Sequence, residues 1–169
     1  MTKVVIMSDS HGLTEEIELI KEREKADYVL HCGDSELSES AKELEGVYTV
    51  AGNCDFYGNF PKEIIKEING LTFLVVHGHL HNVKMSLMNL SYRAEEVNAD
   101  IVCFGHSHIA GGEKIGNKLF LNPGSIHLPR MRREKTYCVL EWKTGREVEA
   151  RFRTVEGDTV EELSYSITL

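Results

Sequence analysis

Five short apolar segments of this chain each end in a cluster of glycine and potential metal-binding residues, a pattern that strongly restricts the fold. The first segment, residues 4–8, is rich in β-branched residues and predicts a buried strand. It is followed by Asp9, His11 and Gly12. Residues two apart in extended backbone point to the same side, so Asp9 and His11 can reach one point in space. A carboxylate and an imidazole suit a divalent cation, although the same residue types also form ordinary turns.

Four further predicted strands show the same arrangement. They cover residues 28–32, 47–51, 71–76 and 101–104. The clusters that follow them are Gly33-Asp34, Gly52-Asn53-Cys54-Asp55, His77-Gly78-His79 and Gly105-His106-Ser107-His108. Alone, each cluster is also explained by a turn or by a buried core histidine. All five follow carboxyl ends of strands, which share one edge of an open α/β sheet. Together they therefore predict a metal site lined by nitrogen and oxygen ligands.

The order of elements between these clusters predicts an α/β protein. The first half is interpreted as β-α-β-α-β, with helices over residues 15–25 and 36–44. The second half adds a helix over about residues 85–98 and hairpins at Asn69-Gly70, Gly116-Asn117 and Lys143-Thr144-Gly145. No linker, repeat or low-complexity segment interrupts the chain. Residues 1–169 are therefore predicted to form a single domain.

Charge and composition restrict the partners that this chain can have. It contains 27 acidic and 19 basic residues, a net charge of −8, which argues against nonspecific binding to nucleic acid. No apolar run reaches the length of a transmembrane helix and no signal peptide precedes the first strand, so we expect no membrane association. The four cysteines are widely spaced and form no CxxC pair, which predicts free thiols and a cytoplasmic location.

Taken in order, the five clusters resemble the motifs of the calcineurin-like metallophosphoesterases. More narrowly, the chain resembles the small bacterial and archaeal phosphodiesterases of that superfamily, down to Asn122-Pro123-Gly124-Ser125. The resemblance spans residues 4–125. It implies a four-layer α/β/β/α sandwich of the metallophosphoesterase type, with a dinuclear metal centre where the loops of the two sheets meet.

The resemblance implies seven metal ligands. The first ion would be held by Asp9, His11 and His108, the second by Asn53, His77 and His106, and Asp34 would bridge them. Two cations about 3.5–4 Å apart need such a shared anion. With no cysteine in the implied set, Mn²⁺ is expected, and Fe²⁺, Ni²⁺ and Zn²⁺ are acceptable. A hydroxide bridging the metals is expected to attack a small phosphodiester substrate that Asn53 also contacts.

One position departs from the family pattern. Many members have histidine directly after the asparagine of the third motif, where it contacts the substrate and can protonate the leaving group. Here that residue is Cys54. A thiol with an ordinary pKa of ~8.5 is a weaker electrostatic partner than imidazolium. His79 is the expected catalytic replacement, because it lies two residues from an implied metal ligand; support of that ligand and simple solvation are its alternatives.

Other functions are compatible with the same motifs. A retromer scaffold subunit shares the implied fold and uses its surface to bind partners, without catalysis. That scaffold has lost site residues, whereas all seven implied ligands are present here, which favours an enzyme. A phosphomonoesterase and a nuclease are further alternatives, although the acidic balance and small size argue against processive work on long nucleic acid. The sequence is compatible with a monomer or a homodimer.

Overall fold

Two β-sheets stack face to face, and each carries one α-helix on its outer side. The computed structural model describes all 169 residues. Its strands are β1 (Thr2–Met7), β2 (Tyr28–His31), β3 (Val47–Thr49), β4 (Glu63–Ile68), β5 (Leu71–Val76), β6 (Ile101–Cys103), β7 (Gly111–Ile115), β8 (Lys118–Asn122), β9 (Thr136–Trp142), β10 (Glu147–Thr154) and β11 (Tyr165–Thr168). Its helices are α1 (Glu15–Glu24) and α2 (Met88–Glu96). The strand orders are β11-β10-β9-β1-β2-β3 and β4-β5-β6-β8-β7.

Successive side chains of the central strands point to opposite faces of the sheet, and this alternation produces the layers. On β1, Val4 and Ile6 point into the core between the sheets, while Val5 and Met7 pack with α1. All four side chains are fully buried. Burying such a side chain stabilises a fold by about 1.5–3 kcal/mol. The first sheet is therefore covered on one face by α1 and on the other by the second sheet.

The second sheet repeats this arrangement. Phe73 and Val75 of β5 join the core between the sheets, whereas Leu74 and Val76 pack with α2. The order of layers is helix, sheet, sheet, helix. This confirms the predicted four-layer α/β/β/α sandwich.

Parallel pairing brings the predicted strand ends together. In the first sheet, β1 pairs with β2 and β2 with β3, all parallel, so that Met7, His31 and Thr49 lie side by side. In the second sheet, β5, β6 and β8 are parallel in the same way. The carboxyl ends of the parallel strands thus meet at one edge of each sheet. The prediction that the five polar clusters share an edge is confirmed.

One predicted helix is wrong. Residues 36–44 form loops and turns and a single 3-10 turn at Lys42–Leu44. Side chains satisfy the backbone here: Ser35 Oγ accepts a hydrogen bond from Leu37 N, and Ser38 Oγ accepts one from Ser40 N. Asp55 Oδ1 also accepts from Glu36 N at 2.8 Å. Serine and aspartate compete with the helical ladder in this way, and hydrophobic periodicity does not reveal it.

Smaller differences concern element ends. α2 begins at Met88 rather than near residue 85, because Ser86 Oγ accepts a hydrogen bond from Met88 N, and Asn82 has a left-handed φ of 54°. The predicted hairpins at Asn69-Gly70 and Gly116-Asn117 and the closing hairpin are present. All four cysteines are free thiols. Neither α-helix combines the length and the apolar composition that crossing a membrane requires.

Candidate metal centre

The loops that follow the strands hold their polar residues in an unusual backbone conformation. Five of the seven predicted ligands have a left-handed φ: Asp9 (52°), His11 (41°), Asp34 (57°), His106 (71°) and His108 (60°). Such conformations cost a residue other than glycine about 1–3 kcal/mol at most sites, so the surroundings must hold them. Backbone hydrogen bonds between loops do so, among them Asp9 N to Gly33 O (3.0 Å) and His11 N to Asp34 O (2.9 Å).

Two glycines allow these loops to crowd together. A Cβ atom at Gly105 would clash with the Ser8 hydroxyl and the Asp9 carboxylate, and one at Gly52 would clash with the Asp34 carboxylate. Glycine at these two strand ends therefore lets the backbone pack closely against the donor residues.

Three histidines are oriented in the same way. The Nδ1 atom of His11 lies 2.7 Å from Glu36 Oε2, that of His77 lies 2.7 Å from Cys32 O, and that of His108 lies 2.7 Å from Leu128 O. These oxygens only accept, so each Nδ1 donates its hydrogen. The Nε2 atom of each ring is left to face the centre, as in metal-binding histidines whose other nitrogen is fixed by an acceptor.

The three Nε2 atoms converge on two carboxylates. Asp9 Oδ1 lies 3.3 Å from Nε2 of His108, 3.8 Å from that of His77 and 3.9 Å from that of His11. Asp34 Oδ2 lies 3.2 Å from Nε2 of His77 and 3.9 Å from Nε2 of His11. Asp34 therefore lies between His11 and His77, as a bridging ligand must.

Asp9 Oδ1 has no hydrogen-bond partner although it is buried. A buried carboxylate oxygen without a partner is costly and rare. The nearest groups are imidazole nitrogens, and two of these, Nε2 of His11 and His108, are themselves only 3.4 Å apart. Electron-pair donors facing one another in this way need a cation between them. The donor set therefore fits a divalent metal.

The donors fall into overlapping groups within 4.8 Å. One group is Asp9, His11 and His108, the predicted ligands of the first ion. A second is Asp9, Asp34 and His77.

The remaining predicted ligands lie beside His77. Asn53 Oδ1 is 3.0 Å from His77 Nε2. The ring centroid of His106 is 5.0 Å from that of His77, and His106 belongs to none of the close groups of three donors. The structure thus brings six predicted ligands into direct proximity and places the ring of His106 at their side.

Cys54 also reaches the centre. Its sulfur lies with donor atoms of His11 and Asp34 within 4.8 Å. The implied ligand set contains no cysteine, so this neighbour was missed. Burial and the carboxylate of Asp34 raise the pKa of the Cys54 thiol to about 11, which keeps the thiol protonated at neutral pH.

Electrostatics favour positive charge in the centre. Burial raises the pKa of Asp9, but the neighbouring His108 and His77 outweigh it and hold that pKa below its usual range. The pKa of Asp34 is held far below its usual range in the same way, mainly by His77 against the effect of burial. Burial lowers the pKa of His77, but Asp34 and Asp9 raise it overall. The Asp9 carboxylate likewise raises the pKa of His108.

Two other histidines are neutral. Burial, together with His77 and Lys84, lowers the pKa of His106 to about 4, and a metal ligand must be deprotonated in this way. Burial likewise lowers the pKa of His31 to about 4.

His31 is a positioning residue that the sequence analysis missed. It is fully buried, and its Nδ1 accepts a hydrogen bond from Gly33 N at 3.1 Å. Its Nε2 therefore donates to Ser10 Oγ, 2.8 Å away. His31 thus ties the loop after β1 to the loop after β2. The available signal was a histidine inside an otherwise apolar strand.

Asp55 and Ser125 also position ligands. Asp55 Oδ2 accepts hydrogen bonds from Asp34 N (2.8 Å) and Gly52 N (2.7 Å), so it joins the second and third clusters. Ser125 Oγ donates to Asp9 O at 2.7 Å. Both residues belong to the quoted motifs, but the sequence assigned them no role.

His79 lines the same centre. Its ring centroid is 5.3 Å from that of His77 and 6.1 Å from that of His106. Its buried Nδ1 has no hydrogen-bond partner. Burial and the neighbouring His77 lower the pKa of His79. The ring is therefore placed to contact a molecule bound at the centre.

Several known proteins are similar to this chain. A probable metallophosphoesterase of Bacillus subtilis (strain 168) is 48% identical over 168 residues, which cover 98% of this chain and 99% of that protein. A phosphodiesterase of Methanocaldococcus jannaschii is 30% identical over 145 residues, which cover 72% of this chain and 82% of that protein.

Solved structures share the fold. The crystal structure of a predicted phosphoesterase from Streptococcus pneumoniae has a TM-score of 0.94 at 34% identity, and the match covers 99% of this chain and 98% of that one. Vacuolar protein sorting 29 of Cryptosporidium parvum has a TM-score of 0.83 at 19% identity over 99% of this chain and 98% of that one, a likeness of fold alone.

A family model matches the part of the chain that contains the clusters. The model of the calcineurin-like phosphoesterase superfamily domain matches residues 2–145, which include all five clusters. The family predicted from the sequence is therefore confirmed, and this chain belongs to the calcineurin-like phosphoesterase superfamily.

Proposed function

We propose that this protein is a metal-dependent phosphodiesterase with a dinuclear centre. The observation that carries the proposal is the buried Asp9 Oδ1, which has no hydrogen-bond partner and faces the Nε2 atoms of three histidines. Such a donor set suits divalent transition metals; Mn²⁺ is the ion proposed, with Fe²⁺, Ni²⁺ and Zn²⁺ as alternatives.

The ligands divide into two groups around Asp34. Asp9, His11 and His108 would hold one ion, and Asn53, His77 and His106 the other. Asp34 is proposed to bridge, because its Oδ2 lies 3.9 Å from Nε2 of His11 and 3.2 Å from that of His77. Bound metals would supply a nucleophile derived from water at neutral pH and neutralise charge on the phosphoryl oxygens.

The chain's own residues contribute orientation and a proton. In the hydrolysis, a water oxygen forms a bond to phosphorus, one phosphorus–oxygen ester bond breaks, and the departing oxygen takes up a proton. Asn53, exposed beside His77, is proposed to contact the phosphoryl group. His79, whose ring lies 5.3 Å from that of His77, is proposed to supply the proton.

Preference for diesters is supported by Cys54. In place of the family's histidine it offers a thiol, which cannot carry positive charge; burial and Asp34 raise its pKa to about 11, so it stays uncharged at neutral pH. A monoester carries more negative charge than a diester and benefits more from a cationic residue there. The relative from Methanocaldococcus jannaschii is named a phosphodiesterase. The presence of every implied ligand argues against a non-catalytic scaffold.

Metal analysis combined with kinetics tests this proposal. Protein freed of metal and reloaded with Mn²⁺ should bind close to two ions per chain and hydrolyse bis(4-nitrophenyl) phosphate faster than 4-nitrophenyl phosphate. Asp34→Asn should lower both metal content and turnover. Asp158→Asn, at an exposed position whose side chain accepts no hydrogen bond, is the matched control. A fully loaded protein with one ion per chain, or with no diesterase activity, would contradict the proposal.

A further inference from the structure

A cavity of about 480 Å³ adjoins the metal centre on the side of the loop that follows β6. Its walls are mainly apolar and include Val83, Leu87, Phe104, Ile109 and Phe120. The volume lies within the range of small-molecule sites in proteins, which is about 300–1,000 Å³.

The cavity adjoins the loop that carries His106 and His108. Ser107, which lies between the predicted ligands His106 and His108, forms part of its wall. Ser107 Oγ accepts a hydrogen bond from Asn122 Nδ2 at 2.9 Å, and Asn122 is itself buried in the wall. A group bound in the cavity would therefore contact the loop that carries two of the predicted ligands.

Two cations lie in the cavity wall without partners. The side chains of Lys84 and Arg130 are exposed and form no ion pair or hydrogen bond. The chain has eight arginines, and five of them pair with carboxylates: Arg93, Arg132, Arg146, Arg151 and Arg153. In a protein of net charge −8, an arginine without a carboxylate partner is notable because acidic residues outnumber basic ones.

The position of Arg130 is fixed relative to the centre. Its backbone N donates to His108 O at 3.0 Å. The wall contains one carboxylate, Glu113, which lies on β7 two residues beyond Gly111. Gly111 pairs with Asn122, so Glu113 lies further along the sheet from the metal ligands than the paired residues do. The end of the cavity beside the ligands therefore carries positive charge.

We infer that this cavity binds one ester substituent of the substrate, an apolar ring-sized group that carries a second negative charge. The inference rests on the proposed function and specifies the substrate class. The apolar walls would contact the ring of this substituent, and Lys84 and Arg130 would pair with its additional negative charge. Inorganic phosphate or a simple alkyl diester would use the metals and leave the cavity without a role.

Two pairs of matched ligands test the inference. Phenyl 4-nitrophenyl phosphate and 4-carboxyphenyl 4-nitrophenyl phosphate release the same 4-nitrophenolate, so a difference in kcat/KM reports on the retained substituent. Titration calorimetry with phenyl phosphate and 4-carboxyphenyl phosphate measures the same preference in binding, without turnover. Metal-loaded protein should favour the carboxylated member of each pair by roughly three- to tenfold, as two partly exposed ion pairs provide.

Variants test whether the preference for the carboxylated ligands arises in the cavity. Lys84→Gln combined with Arg130→Gln should bring the ratio between the carboxylated and the uncarboxylated member of each pair close to one. Lys135→Gln combined with Arg133→Gln removes the same two positive charges from exposed positions outside the cavity. This control variant should retain the preference for the carboxylated ligands. Ile109→Ser should raise KM for both diesters, whereas Leu19→Ser, on α1, should not.

The outcomes separate the two proposals. Hydrolysis of both diesters without any binding preference would overturn the cavity assignment and leave the phosphodiesterase standing. A preference that survives in the Lys84 and Arg130 double variant would also overturn it. A binding preference that depends on these two cations, in a fully loaded protein without diesterase activity, would support the cavity and contradict the proposed reaction.

Discussion

Asp55→Asn should weaken both the fold and the metal centre, although Asp55 is not an expected metal ligand. Its carboxylate accepts three backbone hydrogen bonds, from Asp34 N, Gly52 N and Glu36 N, at 2.7–2.8 Å. In the variant, the single side-chain oxygen of asparagine can accept from Asp34 N and Gly52 N. The amide NH₂ then faces the N–H of Glu36. The variant thus loses the negative charge and one bond, and gains a repulsion between two donors.

The magnitude follows from these contacts. A hydrogen bond to a charged group contributes about 1.5–3 kcal/mol, and an unpaired donor adds to the loss. Because Asp55 is partly exposed, water replaces part of that loss. We expect the free energy of unfolding of the metal-free protein to fall by about 1.5–3 kcal/mol, measured by urea denaturation.

Metal affinity should fall as well. Asp55 fixes the backbone of Asp34, and it fixes that of Glu36, whose Oε2 accepts from His11 Nδ1. Loss of such supporting partners commonly lowers metal affinity by about 10–100-fold. Calorimetric titration with Mn²⁺ measures this, with Asp158→Asn as the control. Affinity and stability both equal to those of the wild type would refute the idea that Asp55 positions these ligands.

Two further predictions concern Glu24 and His79. Glu24 is buried beside Lys3, Tyr137 and Arg153; burial raises its pKa, but these partners outweigh it and hold the pKa below its usual value. A depressed folded-state pKa stabilises the fold above the unfolded value of about 4.3, and this stabilisation is lost as pH falls through the folded pKa. Wild type should therefore lose more stability than Glu24→Gln in urea titrations between pH 6 and 3, and parallel losses would contradict this. His79→Gln should keep the metal content and lower kcat at saturating metal by about 10²-fold or more; unchanged turnover would remove His79 from the chemistry.

The pattern of apolar segments and the polar residues after them predicted the strands and the α/β class, whereas the four-layer sandwich was implied by the family resemblance. Short apolar segments such as Val4 to Met7 alternate between two buried faces, and polar residues start where each strand ends. Both features depend on residues that are close together in the sequence, so the sequence alone reveals them. The same is true of Asn69-Gly70, whose left-handed φ values of 43° and 82° suit a tight hairpin.

What the sequence missed depends on contacts distant along the chain. The predicted helix over residues 36–44 does not begin at Glu36, which has a left-handed φ of 55° and is bound through its N–H by Asp55, 19 residues away. His31 and Cys54 join the centre only once β1, β2 and β3 are paired. The orientations of His77 and His108 are set by the carbonyls of Cys32 and Leu128, which periodicity cannot identify.

Five expected ligands have a left-handed φ, a backbone conformation that serves metal binding but lowers the stability of the fold. Glycine adopts these φ values freely, whereas a side chain there costs about 1 kcal/mol. Replacement of Asp9, His11, Asp34, His106 or His108 by glycine would relieve that local strain while deleting a ligand. Together, the left-handed conformations at these five positions lower the free energy of unfolding by several kcal/mol, which is a large fraction of the stability of an ordinary domain. Each of these positions therefore gives up some stability of the fold in order to hold a donor side chain at the centre.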